Sequence, residues 1–276
     1  MNCQPVSRRS ALASVLGLPG ALRSQTASKP GAKLTEEQKI QFLLTAKVGR
    51  TRGASHGITG TLRATLSDGR LTHDASIQSI DESKMTYQTA MGTELNFRDS
   101  WKFDVAGYKL DRLLGLNMVP VSIERKHKGS AACFTWWVDD VLMLELDRTK
   151  KKIQPPDVQS WNDQMEIVRV FDQLVFNTDR NLGNIVIDKQ WRIWMIDHSR
   201  AFRISHDIRE PKNLTRCDRA LLEEMKGLSE PKLAFAMEEY LTKMEIQAIL
   251  ARRDKIVSHF EEKGSAFMYD SPRRTA

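Results

Sequence analysis

Apolar positions change their period several times along the chain, and each change marks an element. Ile40, Leu43, Leu44 and Val48 form a short helical stripe behind Thr35-Glu36-Glu37, whose polar and acidic composition suits a helix N-terminus. Residues 61–66 and 71–80 alternate with period two around Ser67-Asp68-Gly69-Arg70, which predicts a hairpin. Helical spacing returns over 99–115, where Trp101, Val105, Tyr108, Leu110, Leu113 and Leu114 share a face, Ser100 or Asp99 caps and Gly115 stops. Strands follow at 121–125 and 131–138 around Lys126-His127-Lys128-Gly129. Residues 147–156, with three successive lysines and Pro155-Pro156, read as a linker. A helix over 157–177 carries Trp161, Met165, Val168, Phe171 and Val175 as core, and two brief apolar strands follow at 185–187 and 191–196. Residues 203–213 are polar, and three amphipathic helices are predicted at 215–227, 231–241 and 243–263.

The polar residues of 171–202, FDQLVFNTDRNLGNIVIDKQWRIWMIDHSRAF, stand where the apolar runs stop. Asp179 is followed five residues later by Asn184, and thirteen residues after that Asp197 ends the second strand. Taken singly, each is an ordinary turn or cap residue. Taken together around a helix, a loop and a hairpin, they suit phosphoryl transfer. That chemistry uses one Asp to accept an acceptor hydroxyl proton, and an Asn five positions on and a later Asp to hold Mg²⁺ against nucleotide phosphates. Mg²⁺ takes hard oxygen ligands, often one or two carboxylates completed by phosphates and water.

Composition narrows the partners. The chain of 276 residues is 41% hydrophobic, enough for one large domain or two lobes. Its net charge of +7 is concentrated at the start: Arg8, Arg9, Arg23, Lys29 and Lys33 stand among residues 1–35 without an acid, so the remainder is only +2. A nearly balanced body does not carry the charge expected for nucleic-acid binding. Cys3, Cys133 and Cys217 are too scattered for a disulfide framework or a paired-cysteine metal site. No apolar run approaches the ~18 residues of a membrane span, so no integral membrane association is expected, and the protein is expected to be a monomer. Ser7-Arg8-Arg9-Ser10 before Ala11-Leu12-Ala13-Ser14-Val15-Leu16 has the outline of a twin-arginine export signal. Pro19-Gly20, Arg23 and the lack of a good A-x-A cleavage site argue against export, and need for ATP favours the cytoplasm.

Asn177-Thr178-Asp179-Arg180, Asn184 and the run Ile196-Asp197-His198-Ser199-Arg200-Ala201-Phe202 resemble the catalytic and metal-binding segments of the phosphoinositide 3/4-kinase-like superfamily. The nearest likeness is to type II phosphatidylinositol 4-kinases, HipA-type bacterial kinases and bacterial proteins of unknown function with the same DRN and IDHSRAF runs. It spans roughly residues 50–260 and is strongest over 165–203. The resemblance implies an α+β, two-lobed protein-kinase-like fold, with a small β-rich lobe over 34–146 and a mostly helical lobe over 147–276, while the composition of residues 1–33 suits a disordered leader or an export signal. It implies ATP and Mg²⁺ as cofactors, with Asn184 and Asp197 on the metal, Asp179 on the acceptor hydroxyl and Arg180 supporting the loop or the transferred phosphate.

The first lobe matches less well. Residues 49–60 are glycine-rich, and Gly57 and Gly60 could let backbone N–H groups approach phosphate, although the spacing is not G-x-G-x-x-G. The resemblance calls for a lysine on the returning strand, where Gln78 stands, with Lys84 just beyond as a substitute. Asp104 occupies the position of the acid that would pair with that lysine, and Trp136, Trp137 and Val138 fall at the hinge expected to hold adenine. Two readings follow: a kinase acting on a hydroxyl acceptor, protein or small molecule, and a nucleotide-binding pseudokinase with a regulatory or scaffold role.

Overall fold

A computed structural model describes residues 34–53, 61–89 and 92–272. The leader over 1–33, Gly57 and Gly60 lie outside the described residues. Helix α1 (Glu36–Thr45) begins where predicted, because Thr35 and Gln38 satisfy each other's backbone N–H groups in a capping box. Strands β1 (Lys47–Gly53), β2 (Leu62–Ser67) and β3 (Thr72–Gln78) run antiparallel. The β2–β3 turn is held by Asp68, whose Oδ1 accepts from Arg70 N and Leu71 N, each at 2.8 Å, while Gly69 takes φ +88°.

The next two strands lie in a stretch that the hydrophobic pattern left unassigned. β4 (Asp81–Thr89) and β5 (Gly92–Ser100) form a separate two-stranded antiparallel sheet. Tyr87 stacks on Phe97 with ring centroids 4.1 Å apart, and Phe97 is buried. Helix α2 (Trp101–Leu113) follows without a loop, capped by Ser100 and ended at Gly115 with φ +63°. β6 (Ser122–His127) and β7 (Ser130–Trp136) then complete a five-stranded sheet in the order β1-β2-β3-β7-β6. Ala75, Ile77, Phe134 and Trp136 bury its inner face together with Phe42, Leu43 and residues of α2.

Strand β8 (Val141–Leu144) pairs with the later hairpin, and helix α3 (Glu145–Lys150) follows it directly. Part of the expected linker is therefore helical. Arg148 forks onto Glu145 at 2.5 and 2.7 Å and donates to Ile153 O at 2.8 Å, so paired side chains hold the turn that composition alone marked as loose. Helix α4 (Val158–Leu174), capped by Asp157, leads to β9 (Ile185–Asp188) and β10 (Ile193–Met195), giving the sheet order β10-β9-β8. A short parallel pair, β11 (Cys217–Asp218) with β12 (Met268–Tyr269), and helices α5 (Arg219–Lys226), α6 (Glu230–Met237) and α7 (Lys243–Lys263) close the C-terminal part. From Leu34 onward the chain is one compact unit, with a main core that runs from α1 to α7 and a small second cluster of Trp101, Val105 and Cys133 among the described residues. Among the described residues, no helix is long and apolar enough to cross a membrane.

Candidate active site

The loop between α4 and β9 carries Asp179 and Asn184, and the β9–β10 hairpin carries Asp197 back beside them. Met195 pairs with Ile185, and Ile196 N donates to Asn184 O at 3.1 Å, so Asn184 and Asp197 flank adjacent strand ends. Asn184 Nδ2 donates to Asp179 O at 3.2 Å. This spends the amide nitrogen on the loop and directs its other end, the oxygen, away from that bond. Asp197 has φ +57°, the left-handed region that a non-glycine residue occupies at a cost of about 1–3 kcal/mol. Its Oδ1 accepts from Ser199 Oγ at 3.0 Å, so the turn is fixed by the residue two positions on.

Arg180 organises the loop. Its Nε donates to Asp172 Oδ2 at 2.9 Å, and Nη1 donates to Asn184 O at 2.9 Å and Ile196 O at 2.7 Å. One planar guanidinium therefore joins α4, the loop over 177–184 and the end of β10. Nη2 lies 3.0 Å from His198 Nε2, and because arginine only donates, that ring nitrogen accepts and the imidazole is neutral. Burial, reinforced by Arg180, holds the His198 pKa well below the usual range. The bonds of Arg180 thus run to α4, to the 177–184 loop, to the end of β10 and to His198.

Helix α2 is fastened to the Asp197 turn. His198 N donates to Asp104 Oδ1 at 2.6 Å and Ser100 N to Ser199 O at 2.8 Å. Gly107 permits the approach, since a Cβ there would meet His198 Cγ at 3.0 Å. Asp104 thus holds a backbone N–H of the turn, and burial, with Asp197 nearby, raises its pKa well above the ordinary value. Asp99, at the end of β5, is also buried, and its Oδ1 has no hydrogen-bond partner among the described residues. Burial first, and then the charge of Asp197, push its pKa up, with the nearby Ser199 hydroxyl opposing. Asp179 is half-buried and shifts the same way, through burial first, with Arg200 opposing and Asp197 reinforcing. The charge of Asp197 acts on Asp99, Asp104 and Asp179 alike, and such a gathering of carboxyl groups makes a locus where a cation is favoured. Its donors are hard oxygens, which fit Mg²⁺. Among the described residues no three His, Cys, Asp or Glu side chains close on one point, so phosphate or water oxygens would have to complete such a shell.

The remaining predicted residues are dispersed. Gln78 is buried at the end of β3, with Nε2 donating to Thr61 Oγ1 at 2.8 Å and Oε1 accepting from Ser79 N and Ile80 N at 2.9 and 3.1 Å. Lys84 stands on β4, paired with Glu82 at 2.8 Å and lying over the rings of Tyr87 and Phe97. Trp136 is a core residue, stacked on His73 with centroids 3.7 Å apart and donating from Nε1 to Asp139 Oδ2 at 3.0 Å. Trp137 and Val138 are half-buried where β7 gives way to β8, and Arg63 covers the Trp137 ring.

Beside Asp179 opens a groove of about 910 Å³ between the β4–β5 hairpin and the segment 200–209. It includes Lys84, and the hairpin that roofs it was not anticipated from the sequence. Glu94 and Arg203 were not anticipated either, and Asp99 was expected only as a helix cap. The alternation of Met85 and Tyr87 with Leu95 and Phe97 was the available signal for that hairpin.

No protein-family model matches this chain, and no curated protein matches it in sequence. Solved structures do share its architecture. The Golgi casein kinase superposes with a TM-score of 0.56 at 14% identity, covering 86% of this chain and 78% of that one. The Helicobacter pylori proinflammatory kinase CtkA superposes with a TM-score of 0.50 at 10% identity, covering 78% of this chain and 93% of that one. The fold is kinase-like. The predicted α+β class, β-rich at the start and helical toward the end, is the class observed. At these identities the likeness concerns the fold, and the narrower resemblance to phosphoinositide and HipA-type kinases rests on the sequence motif.

Proposed function

We propose that this chain is an ATP- and Mg²⁺-dependent kinase that phosphorylates a hydroxyl acceptor. The observation that carries the reading is the arrangement of Asp179, Asn184 and Asp197. Arg180 joins the strand ends that bear Asn184 and Asp197, and the Asn184 amide is anchored on the Asp179 carbonyl. Asn184 Oδ1 and the Asp197 carboxylate would hold Mg²⁺, which, when bound, neutralises charge on the nucleotide phosphates. Asp179 takes the proton of the acceptor hydroxyl. The acceptor oxygen forms its bond to the γ-phosphorus as the bond from that phosphorus to the β–γ bridging oxygen breaks, and ADP leaves. Trp137 and Val138 contact the adenine side in this reading, and the half-buried position of both suits an apolar wall.

Added Mg-ATP is expected to raise the melting temperature of the wild-type protein, and Asp197→Ala to abolish the shift. Phosphate transfer from labelled ATP is expected to disappear in Asp179→Ala while the Mg-ATP melting shift persists. An unchanged wild-type melting temperature would count against any nucleotide-binding reading.

The observation favouring a pseudokinase is Gln78, whose amide is engaged by Thr61 and by two backbone N–H groups, so that β3 brings no charge to a phosphate. Under that reading the melting shift appears and labelled phosphate transfer does not.

A further inference from the structure

Among the cationic side chains that line the groove beside Asp179, most already have close partners. Arg98 pairs with Glu245 at 2.5 Å. Arg203 binds Glu94 at 2.7 Å and donates to Arg98 O at 2.6 Å. Arg209 donates to Asn177 O at 3.0 Å, and Lys84 pairs with Glu82. Arg200 differs. Its Nη2 is 3.5 Å from Glu94 and its Nη1 is 3.6 Å from Asp179, both beyond the usual 2.7–3.2 Å of an N–H···O bond. Its Nε is buried without a partner among the described residues. The guanidinium is fixed over the Phe97 ring, 5.0 Å from its centroid, so it is positioned without being well bonded.

One strand also contributes a continuous stretch to the groove wall. Five consecutive residues of β5, 92–96, line it, and β5 has one hydrogen-bonded neighbour, β4, among the described residues. Met85 and Leu95, which line it farther along the hairpin, are 86% and 68% exposed. A small molecule would leave these apolar side chains uncovered, whereas an extended chain could add to a strand edge and place side chains against them.

We infer that the groove receives the acceptor as an extended acidic polypeptide segment, and that Arg200 is a specificity-determining residue that binds a carboxylate close to the serine or threonine presented to Asp179. The inference rests on the kinase reading and names its acceptor class. A carboxylate on Arg200 would supply the charge-assisted bonds that Glu94 and Asp179 make only at long range.

The test uses the full chain and two fluorescent peptides, each with one serine, flanked in one by glutamates and in the other by glutamines at the same positions. Binding is read by anisotropy with Mg²⁺ and a non-hydrolysable ATP analogue. The glutamate peptide is expected to bind about tenfold more tightly at low salt, with the preference shrinking in high salt. Arg200→Gln is expected to remove most of the preference and Arg200→Lys to retain part of it, and urea midpoints of both variants check the fold. Equal affinity for the two peptides, or a preference unchanged in Arg200→Gln, overturns the inference. So does binding to phosphatidylinositol-containing vesicles with neither peptide bound. The peptide preference is also measured without nucleotide, so a missing Mg-ATP melting shift would overturn the kinase reading while the groove is still tested.

Discussion

Asp179 carries an elevated pKa because half-burial and the charge of Asp197 disfavour its ionised form, while Arg200 partly restores it. A general base must be deprotonated to act, so the rate is expected to rise with pH through this group, with an acid limb above the ~3.9 of an unperturbed aspartate. Arg200→Gln removes the largest opposing charge and should move that limb to still higher pH, as a pH–rate profile at saturating Mg-ATP would show. Asp179→Asn should lower kcat by about 10²–10⁴-fold, the usual contribution of a positioned acid or base. A pH–rate profile of the wild type with its limb at the ordinary aspartate value would contradict this role.

At the scale of elements, the contact that matters is helix α2 against the Asp197 turn. The amphipathic pattern placed α2 within two residues of its observed ends, because its apolar stripe and its cap are local features. The purpose of its polar face was not legible in the same way. Asp104 stands where the resemblance puts an acid that pairs with a lysine, and the bond it makes is with His198 N, a residue 94 positions away. Gly107 sits on this interface, where any side chain would press on the His198 ring. Gly107→Val should therefore cost about 1–3 kcal/mol in urea denaturation, the usual range for overpacking. It should also reduce the Mg-ATP melting shift, because the displaced turn carries Asp197, and Gly107→Ala should show a smaller effect of the same sign. A variant that loses stability while keeping the full nucleotide shift would separate the helix contact from the metal turn.

Across the whole molecule, the buried Arg252 of α7 ties distant segments together. Its Nε donates to Leu174 O at 2.8 Å and its Nη1 to Arg203 O at 2.9 Å, with a further bond to Ser205 O. The end of α4 and the segment bordering the groove are thus held together by α7. Replacing the guanidinium with Leu leaves buried carbonyls short of donors, at roughly 1–3 kcal/mol for each one left unsatisfied. Arg252→Leu is expected to lower the urea midpoint strongly, and where the protein still folds, to raise KM for an acceptor more than KM for ATP. An unaltered urea midpoint would show that these bonds contribute nothing net.

The sequence by itself determined the helices with periodic faces, the β2–β3 turn and the order of Asp179, Asn184 and Asp197, because capping, turn chemistry and amphipathic spacing act over a few residues. It also placed Gln78 where a lysine was wanted, and it marked the charge of the first 35 residues as separate from the body. Tertiary structure decided what those residues touch. Arg180 became the brace of the loop, Trp136 a core residue stacked on His73, and Asp99 a buried carboxylate with an unpartnered oxygen. The β4–β5 hairpin turned an unassigned stretch into the roof of a groove beside Asp179. The division has one physical cause: local backbone preferences are written in neighbouring residues, whereas hydrogen-bond partners and electrostatic surroundings depend on segments that meet only when the chain has packed.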